Sequence, residues 1–136
     1  MEAGLSVPPR LERELAGLRK TFDGLVYVNP GQWVLLPAYS FPERWSERVA
    51  PATFQVPVAY PGTPPYGFYI LGSSRYDAKA PTWQYPAANK PPFEGDWAFF
   101  SWSIDGAWVA PTMDAITGCN LRSFVDSFFH RLSEGV

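Results

Sequence analysis

The sequence predicts an α+β domain: a helix, an antiparallel meander of three or four strands, a long irregular segment, and a closing helix. Three observations predict it. Leu11, Leu15, Leu18 and Phe22 recur at helical spacing near the start. Leu121, Val125, Phe128, Phe129 and Leu132 do the same near the end. Between them lie short β-rich runs separated by proline and glycine turns. A chain of 136 residues with 46% hydrophobic and 18% charged residues suits one folded domain with one core.

In chain order, residues 1–9 read as a loose arm, and 10–136 as the single domain. Pro8 and Pro9 can lead into the first helix, since proline is tolerated at a helix start. That helix covers Leu11–Phe22 and stops near Asp23-Gly24. Arg10, Glu12, Arg13, Glu14, Arg19 and Lys20 fill its other faces, either as a solvated surface or as a docking surface. Leu25–Asn29 is a first β run, turned by Asn29-Pro30-Gly31. Trp33–Leu36 is a second, closed by Pro37, and Ala38–Pro51 reads as a loop or irregular edge. Ala52–Tyr60 is a third, with Phe54, Val56 and Val58 on one face and Pro57 marking an edge or a bulge. Gly67–Leu71 is a fourth. Gly72–Gly95 has no convincing periodicity and is long for an unstructured connection. The closing helix covers Leu121–Leu132, with Asn120 a candidate cap.

Composition removes several classes of function. Net charge is −2 with no basic run, which argues against nucleic acid. No apolar run is long enough to span a bilayer, and the first residues lack the basic-then-apolar pattern of a signal peptide. A single cysteine cannot form an internal disulfide, which fits a cytoplasmic setting. One histidine and one cysteine argue against zinc, and no cofactor is expected.

Asp96–Pro111 stands apart. Three tryptophans, two phenylalanines and two serines share it, with neither strict alternation nor a helical stripe. It reads as an aromatic loop packed on the body of the domain, with Ser101, Ser103 and Asp105 as its candidates for chemistry. The alternative is that its aromatics are core and its serines filler.

The order of parts resembles the ubiquitin-conjugating enzyme superfamily. Phe54–Pro65, with Tyr60-Pro61-Gly62-Thr63-Pro64-Pro65, is similar to that fold's third strand and its Tyr-Pro-x-x-Pro-Pro turn. Trp108-Val109-Ala110-Pro111 resembles the Trp-x-Pro after the active-site loop, with one extra residue. Trp102-Ser103 ahead of Trp108, with Asp114 after it, resembles the bacterial branch called family E, which is encoded beside ubiquitin-like proteins and their activating enzymes. The resemblance implies partners of those two kinds and a protein target. It also implies that the first helix docks the activating enzyme, through Arg13, Arg19 or Lys20.

The sequence departs from that pattern where chemistry matters most. No cysteine lies in Phe99–Ser103, and the His-Pro-Asn tripeptide is missing, with only Asn89 upstream to stand in for its asparagine. One closing helix stands where the eukaryotic type carries more. Acyl transfer needs a nucleophile, and cysteine suits it because its pKa of about 8.5 leaves some thiolate at neutral pH. Serine needs a base or strong oxyanion stabilisation. Ser103 is the first candidate, because Trp102-Ser103 is the family-E-like pair, and Ser101 is close behind on spacing. Asp105 could accept a proton or orient an incoming amine, or simply cap the Asp105-Gly106 turn. His130, off the phase of the apolar stripe, is a surface histidine or a distant base. Cys119, near a helix start, is a buried hydrophobe or an alternative thiol nucleophile. Three readings follow: a serine-based conjugating enzyme, an inactive adaptor of the same fold, or an unrelated fold binding a peptide or sugar.

Overall fold

Residues 9–29, 31–58, 60, 65–79, 91–100, 102 and 121–135 are described by a computed structural model of the chain. The first helix, α1, spans Pro9–Thr21 and opens on proline, where a missing N–H costs nothing. Leu11, Leu15 and Leu18 face the core, as their spacing predicts. Glu12 in the first turn and Arg19 and Lys20 in the last suit the helix dipole. Gly24, at φ +85°, takes the left-handed turn that releases the chain into the sheet.

Five strands follow: β1 Val26–Val28, β2 Trp33–Ser40, β3 Val49–Gln55, β4 Phe68–Leu71 and β5 Trp97–Phe100. They pair antiparallel in the order β1-β2-β3-β4-β5. The closing helix, α2, spans Leu121–Ser133.

Two strand boundaries correct the sequence reading, and both turn on proline. β2 does not close at Pro37, and residues 38–40 are strand rather than loop. The register slips between Leu36↔Ala52 and Tyr39↔Ala50, so Pro37 and Ala38 together oppose Pro51. This two-against-one arrangement is a β-bulge, where the ladder bonds that proline cannot donate are absent anyway. β3 accordingly begins at Val49 and ends at Gln55, several residues earlier than predicted. Pro57 lies beyond the strand, and Val58, expected to face inward with Phe54, is 93% exposed. The chain end of β3 is held by Gln32, whose side-chain amide donates to the carbonyls of Val56 (2.9 Å) and Pro57 (3.2 Å).

The larger correction is β5. Its four residues were expected to belong to an aromatic loop, yet they complete a sheet of five strands. Phe68↔Phe100, Tyr69↔Phe99, Ile70↔Ala98 and Leu71↔Trp97 pair along β4. The run shows no alternation because both faces of the sheet are apolar here. Ala98 and Phe100 point to the helices, whereas Trp97 and Phe99 point away.

One face carries the main core, with both helices packed on Val34, Leu36, Phe54, Phe68, Ile70 and Phe100. Phe128 of α2 is its centre: it stacks on Phe68 at 4.1 Å between ring centroids and meets Phe54 and Phe124 edge-on. The other face carries a smaller cluster of Trp33, Tyr69 and Trp97, with Leu35, Leu71, Phe93 and Phe99 packed against it. Trp33 and Tyr69 touch at 5.6 Å across β3. Thr53 between these strands is fully buried, and its hydroxyl donates to Val34 O at 2.6 Å.

Candidate functional site

Ser101, Ser103, Asp105, Cys119 and Asn89 lie outside the described residues. What is described is the frame that holds both ends of the stretch containing the first four. Upstream, beyond the end of the β4–β5 ladder, the Gly67 N–H donates to Trp102 O at 2.6 Å. Glycine is required at 67. Its φ is +78°, and a Cβ there would lie 2.2 Å from the Phe99 ring and 2.9 Å from Phe100 O. The Trp102 indole Nε1 then donates to Ser127 Oγ on α2 at 2.9 Å, and Ser127 in turn donates to Phe124 O. Trp102, the chain neighbour of both Ser101 and Ser103, is therefore fixed by its backbone to the sheet and by its side chain to a helix.

Downstream, the tie is a carboxylate. Glu14 was expected on the solvated side of its helix, but it is buried, 8% exposed. It sits three residues after Leu11 and four before Leu18, so its helical phase carries it inward. Its Oε1 accepts from the Tyr60 hydroxyl (2.7 Å) and from the backbone N–H of Leu121, the first residue of α2 (2.8 Å). Its Oε2 accepts from Arg10 Nε at 2.9 Å, one turn back along α1. Burial, then the bond to Glu14, push the Tyr60 hydroxyl far above its ordinary pKa, so it remains a donor. A cleft of about 30 Å³ beside this cluster, lined by Leu11, Gln32, Val56 and Tyr60 among others, has room for little more than a water.

The two ties meet the same helix. Trp102 is held at Ser127 and the chain re-enters at Leu121, six residues apart, or about 9 Å along the axis. The 18 residues between Trp102 and Leu121 thus have both flanks tied to α2. Segments whose ends are pinned together in this way are often functional.

The remaining predicted positions are scattered. Arg13, Arg19 and Lys20 are exposed on α1, and His130 is exposed on α2. A broader recess of about 560 Å³, lined by Leu71, Gly72, Ser73, Arg75, Gly95 and Asp96, opens at the far end of the β4–β5 pair. The recess lies at the start of β5, whereas Trp102 follows its end. The Arg75 Nη1 there donates to the carbonyls of Gly72 and Ser74. Among the described residues, no three acidic, histidine or cysteine side chains converge as metal ligands, and no helix is long and apolar enough to cross a membrane.

Three participants were missed from sequence: the carboxylate of Glu14, the hydroxyl of Tyr60 and the Trp102–Ser127 bond. Only Glu14 carried a readable signal, its position on the apolar stripe. No family model, curated protein or solved structure matches the chain.

Proposed function

We propose that this domain is a ubiquitin-conjugating-enzyme-like protein of a bacterial ubiquitin-like pathway, akin to family E, using serine in place of cysteine and working in the cytoplasm. The observation that carries the reading is the pinned segment. Both candidate serines adjoin Trp102, and the chain after them returns to α2 at a residue held by a buried carboxylate. The order of helix, antiparallel meander and closing helix supports it. So does the role of Tyr60, the tyrosine of the Tyr-Pro-x-x-Pro-Pro turn, in the Glu14 cluster.

In this reading α1 meets the activating enzyme through Arg13, Arg19 or Lys20. Ser103, or Ser101 in its place, attacks the activated C-terminal carbonyl of the ubiquitin-like protein. The bond from that carbonyl carbon to the activating enzyme's leaving group breaks, and the serine proton goes to the departing group. A target amine then attacks the oxyester, the C–O bond breaks, and the departing serine oxygen takes up a proton released from the amine to restore the hydroxyl. Asp105 serves the second step by orienting the amine or accepting its proton. The absence of cysteine from Phe99–Ser103 favours one rival, an inactive adaptor that binds the ubiquitin-like protein or its activating enzyme.

Mass spectrometry after mixing the chain with a ubiquitin-like protein, its activating enzyme and ATP separates the two. The oxyester survives thiol reductants and is cleaved by mild alkali. Ser103→Ala is expected to abolish it, Ser103→Cys to make it reductant-sensitive, and Cys119→Ala to leave it unchanged. Loss of the adduct in Cys119→Ala reassigns the nucleophile, and no adduct with matched partners leaves the adaptor.

A further inference from the structure

We propose that Glu14 is a positioning residue: it is the joint through which α1 sets where the pinned segment re-enters the fold. The role in catalysis rests on the reading above; the joint itself does not.

The first argument is one of cost. Burying a carboxylate is unfavourable unless donors replace its water, and a leucine at the same helical phase would pack on Leu11, Leu15 and Leu18 without that cost. Here three donors from three places converge on the carboxylate: Arg10 on α1, Tyr60 beyond β3, and the backbone of α2. A charge in a core position is therefore tied to something an apolar side chain cannot do, namely accept hydrogen bonds.

The second argument is one of polarity. The first turn of α2 contains no acidic residue of its own. Its leading N–H groups and the positive end of its dipole favour a negative partner. Glu14 supplies that partner from another helix, on the very N–H where the segment ends. A second link between the helices, Arg122 Nη1 to Thr21 Oγ1 at 2.9 Å, joins exposed groups. A solvent-exposed bond of that kind contributes little. Among the described residues, the Glu14 bond is thus the buried hydrogen bond that joins the start of α2 to α1. Because Arg13, next in sequence, and Lys20, two turns on, face outward from the same rigid helix, whatever holds α1 also holds that entry point.

The test is amide hydrogen exchange by NMR on the full chain. The readout is the exchange rate of the Leu121 amide divided by that of Phe128 in the middle of α2, which cancels any change in global stability. Glu14→Leu is expected to raise this ratio about tenfold, the loss of one buried hydrogen bond. Glu14→Gln keeps a side-chain carbonyl for Leu121 and Tyr60 and is expected to bring the ratio back to within about threefold of the parent. An unchanged ratio in Glu14→Leu, or a failure of Glu14→Gln to restore it, overturns the proposal. If Glu14→Leu does not fold, Glu14→Asp, one methylene too short to reach, takes its place with the same expectation. In the adduct assay the same variant should slow charging at saturating partner while leaving the half-saturating partner concentration unchanged. If no form of the protein makes an adduct, the functional reading fails, and the exchange ratio still decides the joint.

Discussion

At its C-terminal end α2 meets neutral donors from the sheet's loops; at its N-terminal end it meets a buried charge. The Trp45 indole donates to Leu132 O at 2.8 Å, and Trp45 packs edge-on against Phe41 and tilted against Tyr76. Gly135 lies so close to the Tyr76 ring that a Cβ would approach to 2.4 Å. Arg131 rests over Phe100 at 4.1 Å. This end is a packed aromatic corner in which the Trp45 indole and the Tyr76 hydroxyl donate to the carbonyls of Leu132 and Ser133. The other end has the reverse balance: a single carboxylate group gathers Leu121, Tyr60 and Arg10, and its geometry depends on that one side chain. The aromatic corner spreads its stability over many contacts, whereas the carboxylate end concentrates position in one group. The second arrangement is the one expected where a segment must be aimed rather than merely anchored.

The contrast can be broken by substitution. Trp45→Phe removes the Leu132 bond and some ring area, and should cost about 2 kcal/mol by urea denaturation. It should speed exchange at the end of α2 and leave the Leu121 amide ratio alone. Equal loosening of both ends would show that the helix responds as one body and would remove the contrast. Tyr60→Phe deletes one donor to Glu14 and should cost about 1 kcal/mol near neutral pH.

It also carries a pH signature. The folded-state pKa of Tyr60 lies above its ordinary value of 10.0 because of burial and the Glu14 bond. Above pH 10 the unfolded chain releases this proton while the folded chain keeps it, so stability falls as pH rises from there. The slope is on the order of 1 kcal/mol per pH unit for each such group. Tyr39, raised by burial and by the charge of Asp126, acts in the same sense. The urea midpoint of the parent should drop between pH 10 and 11, and Tyr60→Phe should drop less steeply. An identical slope in the variant would disconnect Tyr60 from the cluster. The smallest stability effect is expected outside both ends. Reversing charge at Arg19 and Lys20 should move stability by no more than about 0.5 kcal/mol. In dilute salt it should slow charging by the activating enzyme strongly; an unchanged rate reduces this face to a solvated surface.

Reading the sequence located α1 and α2 by their helical apolar spacing, and β1 and β4 as short β-rich runs between turns, within a few residues. It failed where two demands overlapped. Glu14 was read by its charge, although its phase between Leu11 and Leu18 already pointed inward. Pro37 and Pro51 were read as ends of strands, since proline breaks a ladder; placed opposite each other across a bulge, they shift the register without ending either strand. Trp97–Phe100 was read as loop for want of alternation, which disappears when a strand is covered on both faces. For the site, the aromatic stretch was singled out by its composition alone. Its anchoring was not readable, because the partners of Trp102 and Leu121 come from residues 25 and 107 positions away.

The facing prolines have a consequence for the chain before it folds. β2 and β3 hold two β-prone stretches on either side of the bulge, Trp33–Leu36 and Ala52–Gln55. In the native order they lie at its interior, shielded by β1 and β5, which are only three and four residues long. In an unfolded chain that shielding is gone, and copies of the same segment could stack in register. Pro37 and Pro51 sit directly beside those two stretches and withhold the N–H that a continuous cross-β stack requires. The bulge that native pairing tolerates at no cost therefore acts as a gatekeeper against intermolecular pairing.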